Sequence, residues 1–206
     1  MTSILNNEES TIYTSIIANK DFPREDIPVF SEYKKFVGNT MNAKIYKILS
    51  HKYVDGISIW VDGNIELLIP EQQLIDEWLG DADIALWKHH ARDCVYVEAP
   101  AAAGLFPHKP EMKKEITEQI EHYKEKGFPE HAGMPECNVI IRRNTPRVNQ
   151  FNEAWWAEIC RWSQRDQLSF PYVIKDFKDL KVNYIEGDPR KHKYFKYTPH
   201  PLIAVQ

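Results

Sequence analysis

Glycine is scarce, with 8 residues in a chain of 206, below the usual ~7%. No two glycines stand one residue apart, and no Gly-Lys-Ser or Gly-Lys-Thr occurs. A dinucleotide-binding βαβ unit and a P-loop both need glycines where backbone approaches phosphate, so neither is expected. The HExxH and GxSxG signatures are absent too. There are three cysteines, Cys94, Cys137 and Cys160, with no CxxC pair. So sparse a set predicts reduced thiols and a cytoplasmic location. No apolar run approaches the ~20 residues that cross a bilayer. The opening MTSILNNEES has neither the basic flank nor the apolar core of a signal peptide. Net charge is −4, so no overall basic field recruits nucleic acid.

What is present is core-forming material. Hydrophobic residues are 43% and aromatics 12%, which excludes a disordered or low-complexity chain. A chain of this length buries roughly 70% of its unfolded surface. A single domain over residues 1–206 is expected.

Thr11 to Ala18 is β-branched and aromatic, and reads as a buried strand. Residues 21–38 are irregular. Asn42 to Ser50 places Ile45, Ile48 and Leu49 on one helical face, beside Lys44 and Lys47. Ile57 to Val61 is a continuous apolar strand ending in the turn Asp62-Gly63-Asn64. Pro70 to Leu79 reads as a helix stopped by Gly80. Asp83 to Lys88 is another strand. Met112, Ile116, Ile120 and Tyr123 mark an amphipathic helix between Pro110 and Gly127. Asn138 to Arg142 is a short strand, and Phe151, Trp155, Ile159 and Trp162 form a second helical stripe. This alternation predicts an α/β layer with a mostly parallel sheet flanked by helices. In such sheets ligands sit beyond the carboxyl ends of the strands. Three strands end in polar clusters: Asp62/Asn64, Lys88/His89/Arg92 and Arg142/Arg143. Those ends are expected to converge on one cleft with Asp166.

Several residue groups are chemically suggestive. Asp62 and Asn64, one residue apart on a turn, present oxygens that suit Mg²⁺ or Mn²⁺; the same residues are also ordinary turn chemistry. Lys44 and Lys47, three apart, share a helix face and suit phosphate, or are solvated surface. His89 and Arg92 follow a strand and suit an anionic or hydroxyl-rich ligand. Asp166-Gln167 reads either as a catalytic pair or as a cap beside Arg165. His192 and His200 lie in a basic, aromatic tail from Val182. Trp155 and Trp162 read as core.

Taken in order, IYTSI, NAKIYKILSHKY, SIWVDGNIEL, WKHHARDCVYVEA, GMPECNVIIRRN and WWAEICRWSQRDQLSFPYV resemble the glycosyltransferase-like domain family. That family is known from plant turgor-regulation and mucilage-related proteins and their bacterial and viral relatives. The resemblance covers roughly residues 11–175. It implies a GT-A-like fold that moves a sugar from a nucleotide-diphosphate donor to an acceptor hydroxyl, on a carbohydrate or another molecule. It implies Mn²⁺ or Mg²⁺ at Asp62 and Asn64 with a C-terminal histidine, His200 or His192. Asn64 stands where an Asp is usual, which lowers the charge, and Thr40-Met41 stand where an Arg is common. It implies donor contacts from Lys44 and Lys47, sugar or acceptor contacts from Gly133, Glu136 and Asn138, and catalytic roles for Asp166 and Gln167. Three alternatives stay open: a non-catalytic sugar- or nucleotide-binding module, a metal-dependent hydrolase like the branch linked to ceramide cleavage, and transfer to a modified nucleobase. For the last, Arg142, Arg143, Arg147, Arg161 and Arg165 would form a basic rim, with nucleic acid only as acceptor.

Overall fold

The computed structural model describes residues 9–105 and 109–201. Residues 1–8, within the opening stretch read above, lie outside the described residues. A six-stranded sheet runs in the order β2-β1-β3-β6-β5-β7, where β1 is Ser10–Ser15, β2 Val29–Phe30, β3 Ile57–Val61, β5 Ile84–Lys88, β6 Pro135–Arg143 and β7 Val182–Ile185. A separate ribbon pairs β4 (Ile65–Leu67) with β8 (Phe195–Tyr197). Helices flank the sheet: α1 (Asn39–Ile48), α2 (Glu71–Leu74), α3 (Val95–Gly104), α4 (Pro110–Glu125), α5 (Pro146–Arg161) and α6 (Asp166–Ile174). No helix among the described residues is long and apolar enough to cross a membrane. The expected α/β architecture with a mostly parallel sheet is therefore present.

Local chemistry accounts for the element boundaries. Asn42 is buried at the start of α1, where its amide donates to the Phe36 carbonyl and accepts from the Phe36 N–H, at 2.8 and 2.9 Å. Thr145 caps α5 by accepting from the Val148 N–H, ahead of Pro146 at the first turn. Helix α2 runs on as a π-helical turn over Ile75–Leu79, closed by the Gly80 N–H on the Ile75 carbonyl at 2.8 Å. Gly80 then takes φ +50° and stops it.

Each face of the sheet carries its own core. Tyr13, Trp60, Ile84 and Ile140 pack against α1, α5 and α6. Ile59, Val139, Ala85 and Trp87 pack against α2 and its π-turn through Leu74, Trp78 and Leu79. Trp155 is fully buried in the first of these cores, as its spacing predicts. Helices α3 and α4 form a third cluster around Val95, Met112, Ile116 and Tyr123.

One strand departs from the parallel pattern. β6 runs antiparallel to both β3 and β5, while the other neighbours pair in parallel. The carboxyl ends of β3 and β5 therefore meet the amino end of β6. The expectation that Arg142 and Arg143 reach the same cleft as Asp62 fails for this reason: Arg142 pairs with Ser58 and Ile84, near the starts of those strands. Glu136 and Asn138 occupy the cleft end instead. The arginine rim also disperses. Arg142 is wholly buried, Arg143 donates to the Gly80 and Ala82 carbonyls, and Arg147 grips Asp179 at 2.7 Å.

Among the described residues, no carboxylate pairs with Arg142. Its guanidinium donates to the Lys47 and Ile48 carbonyls at the end of α1, at 2.5 and 3.1 Å, and to Asn152 Oδ1 at 2.9 Å. The negative end of a helix thus holds a buried cation. Arg142→Ala is expected to strand those three acceptors and leave a cavity, costing at least about 3 kcal/mol. For a chain of this size that lowers the melting temperature by roughly 6–12 °C. A calorimetric shift below about 2 °C would show that the guanidinium adds nothing to α1 docking.

Candidate functional site

A cavity of about 630 Å³ opens where β1 and β3 end and β6 begins. Its walls include Asp21 after β1, Lys44 and Lys47 from α1, Asp62 and Asn64 from the turn after β3, Glu136 and Asn138 from β6, Asp166 and Gln167 from α6, and His200 from the C-terminal segment. Six basic and four acidic side chains line it. The cleft is thus locally cationic in a chain whose net charge is −4.

At its floor lies a buried charge cluster. Lys44 Nζ is 3.0 Å from Asp166 Oδ1, and Lys47 Nζ is 2.9 Å from Asp166 Oδ2. Lys47 also donates to Asp62 Oδ1 at 3.2 Å, an atom that accepts from Trp60 Nε1 at 2.9 Å. Asp166 is the first residue of α6, where free N–H groups favour an anion; the Gln167 N–H donates to it at 3.2 Å. Burial alone would push the Asp166 carboxyl up, but the charges of Lys44 and Lys47 overwhelm it and hold it well below the usual carboxylate range. Burial pulls Lys47 down, yet Asp166 and Asp62 keep its ammonium above the ordinary lysine value. Lys44 ends below that value, lowered by burial and by Lys47 against the attraction of Asp166. Asp166 therefore pairs with two lysines from α1, and neither with Arg165 nor as a simple cap. It stays ionised at neutral pH and does not shuttle protons.

The residues proposed for a metal also converge, with one exception. Asp62 is 39% exposed at its side chain, and its Oδ2 has no partner recorded among the described residues. Asn64 Nδ2 and His200 Nε2 lie 3.4 Å apart. His200 Nδ1 is hydrogen-bonded to Asp21 Oδ1. A carboxylate only accepts, so Nδ1 carries a proton in that contact, and in the neutral ring Nε2 is the bare nitrogen, turned toward the Asn64 side chain. A carboxylate oxygen, an amide oxygen after an amide flip, and an imidazole nitrogen suit Mn²⁺ or Mg²⁺ completed by substrate oxygens. His192 lies elsewhere. Its ring packs against Trp78, Trp87 and Tyr194, and its Nδ1 accepts from the Tyr194 N–H.

His89, Arg92 and Gly133, expected at the site, are not among the residues that line the cavity. His89 Nδ1 accepts from the backbone N–H groups of Ala91 and Arg92 at 3.2 and 3.0 Å. Arg92 reaches back to Glu98 at 2.6 Å. The Gly133 N–H donates to the Asp93 carbonyl. Among the described residues, His89, His90 and Glu136 form the one group of three His, Cys, Asp or Glu side chains close enough to share an ion. The chemistry opposes it. With Nδ1 committed as an acceptor, neutral His89 carries its proton on Nε2, which faces Glu98 and Glu136 at 3.8 Å. Burial lowers its pKa, so it is neutral near pH 7. Glu136 Oε1 is already held by Arg190 at 2.9 Å.

Three site residues escape sequence reasoning. Asp21 lies in a stretch without periodicity. Arg190 comes from the tail and meets Glu136 only because the chain returns over β5. Lys109 lines the far wall. None carries a local signal, since each is brought in by topology.

A family model described as "TOD1/MUCI70, glycosyltransferase-like domain" matches residues 28–198. The chain is 32% identical over 157 residues to "Probable hexosyltransferase MUCI70" of Arabidopsis thaliana, covering 69% of this chain and 26% of that protein. It is 28% identical over 185 residues to "Alkaline ceramidase TOD1" of Arabidopsis thaliana, covering 83% of this chain and 39% of that protein. The chain thus spans well under half the length of either relative.

Asp166→Asn is expected to take from Lys44 its carboxylate partner and leave Lys47 with Asp62 alone, costing about 3–5 kcal/mol. Because the folded pKa lies below the unfolded ~3.9, this stabilisation is complete above about pH 4 and is lost as pH falls further. The stability gap between parent and variant should therefore shrink below pH 4 in chemical denaturation. Parallel pH profiles with a gap under ~1 kcal/mol would mean that the cluster contributes no net stability.

Proposed function

The chain belongs to the TOD1/MUCI70 glycosyltransferase-like domain family, and from that premise we propose that it transfers a sugar from a nucleotide-diphosphate donor to an acceptor hydroxyl. The observation that carries this reading is the cationic cleft of an acidic chain, with Lys44 and Lys47 beside Asp62 at its floor. Lysines and aspartates nearly cancel within the cluster, so two further phosphate charges call for a counter-ion. Asp62, Asn64 and His200 would hold Mn²⁺ or Mg²⁺. Such an ion supplies electrostatic stabilisation of the leaving diphosphate.

The protein's own groups do the rest. Lys44 and Lys47 would offer the diphosphate N–H donors already oriented by Asp166, which need no reorganisation as charge develops. Gln167 sits at the α6 start with its Oε1 held by Arg165 at 2.7 Å. Its Nε2 donates to the Pro135 carbonyl at 3.3 Å, which fixes the amide in the cleft wall, from where it would face the donor sugar. Glu136, anchored by Arg190, offers the acceptor side a carboxylate not bound to the lysines. Asp166 acts through the lysines rather than as a base.

Hydrolysis is the second reading, suggested by the relative named a ceramidase. Its metal-bound water would need ligands such as His89, His90 and Glu136, where the committed His89 Nδ1 and the Arg190 pairing oppose it. Transfer to a nucleobase keeps only Arg165 of its expected arginine rim among the cleft's lining residues.

Transfer can be followed as nucleoside diphosphate released from a panel of nucleotide-sugars with hydroxyl acceptors and Mn²⁺. Release should be blocked by a chelator, and Asp62→Ala should lower the rate per folded molecule about 10²–10³-fold, alongside a lowered melting temperature because Lys47 and Trp60 lose a shared acceptor. Release unaffected by either treatment would dismiss the metal assignment. Release of fatty acid from ceramide, with no turnover of any nucleotide-sugar, would favour hydrolysis.

A further inference from the structure

Asp21 is a buried acidic residue just after β1, at 7% exposure, in a stretch with no sequence signal. Two other segments converge on it. The first is the turn after β3: a side chain at Gly63 would meet Asp21 Oδ2 at 2.7 Å and Ile16 at 3.0 Å, so only glycine lets the turn close against it. The second is the C-terminal segment, where the Thr198 N–H donates to the Asn64 carbonyl at 2.9 Å and His200 Nδ1 meets Asp21 Oδ1. His200 is thereby held with Nε2 beside Asn64, at 3.4 Å.

We propose that Asp21 is the positioning residue for His200: its carboxylate accepts the hydrogen bond from Nδ1–H, fixes the tautomer and ring orientation, and so presents Nε2 as a metal ligand alongside Asn64 and Asp62 in the same cleft. This rests on the divalent-ion reading above and deepens it. The physical basis is general. A histidine ligand must be neutral with a bare nitrogen toward the ion, and a carboxylate on its other nitrogen both selects that form and raises the basicity of the ligating atom. Loss of such a partner typically weakens metal affinity about 10–100-fold. Asp21 also joins three segments far apart in sequence, so it assembles the ligand set as well as orienting one member.

The first arm needs no metal. Long-range ¹H–¹⁵N correlation on the full chain should show His200 with its proton on Nδ1, and Asp21→Ala should abolish that preference. A His200 protonated on Nε2 in the parent overturns the proposal. The second arm is a double-mutant cycle on affinity for Mn²⁺ alone, read by calorimetry or by Mn²⁺ electron paramagnetic resonance. Asp21→Ala should weaken Mn²⁺ about 10–100-fold in the parent but less than about twofold in a His200→Ala background. Asp21→Asn, whose Oδ1 still accepts the Nδ1 proton, should stay within a few-fold of the parent. An equal loss in both backgrounds would mean that Asp21 acts by packing the Gly63 turn, and the positioning role would fail while the metal site stood. A parent that does not bind Mn²⁺ removes the metal reading, and with it this role.

Discussion

The structure depends on keeping two lysines ionised in a buried place. Lys44 and Lys47 come from one face of α1, and their side chains are 13% and 8% exposed. Removing an ion from water costs several kcal/mol even after relaxation. The cost is offset only because Asp166 arrives at the start of α6 with both oxygens engaged, and Asp62 arrives at the end of β3. Each partner sits on a different element, so the cluster requires α1, β3 and α6 to dock together. The Trp155 indole donates to the Asp166 carbonyl and to Ser169, locking the α6 start onto α5. Trp60, one residue from the end of β3, holds Asp62 from below. The same interaction that threatens stability therefore fixes the geometry of the cleft floor.

The second constraint is the reversed strand β6. An all-parallel sheet would bring Arg142 and Arg143 to the cleft and remove Glu136 and Asn138. Reversal does the opposite. It sends Arg142 to the carbonyl end of α1, where a buried guanidinium is useful, and brings one further carboxylate to the open side. The cleft is therefore near neutral at its floor and cationic along its walls, and it retains Glu136 among its lining residues.

Much of this was legible in the sequence, for reasons that can be named. Continuous apolar runs marked β3 and β5, and 3.6-residue spacing marked α4 and α5. The turn Asp62-Gly63-Asn64 and the pair Lys44/Lys47 stood out because polar residues follow or flank apolar runs. Strand direction was not legible, since a buried run such as Val139–Ile141 reads alike in either sense. Helix α3 escaped because it opens on Val95-Tyr96-Val97 and carries Pro100, which imitate a strand and a break. Asp21 and Arg190 escaped because their roles exist only through partners 179 and 54 residues away. The Lys44–Asp166 and Lys47–Asp166 pairs are likewise tertiary facts. Composition can suggest a carboxylate or a lysine for a site, but not that they neutralise one another.

A cleft built this way should treat a diphosphate and a divalent ion as one ligand. The floor is close to neutral, the walls are cationic, and the ligands for an ion are few and of low charge, because Asn64 replaces a carboxylate. Each partner then supplies what the other lacks, and their binding must be thermodynamically coupled. The most direct measurement is calorimetric titration of the unmodified chain with a nucleoside diphosphate, with and without saturating Mn²⁺, and the reciprocal titration. The account predicts that each tightens the other by the same factor, at least about tenfold, or 1.4 kcal/mol. Independent binding of the two, or a diphosphate that binds equally well without the ion, would contradict it.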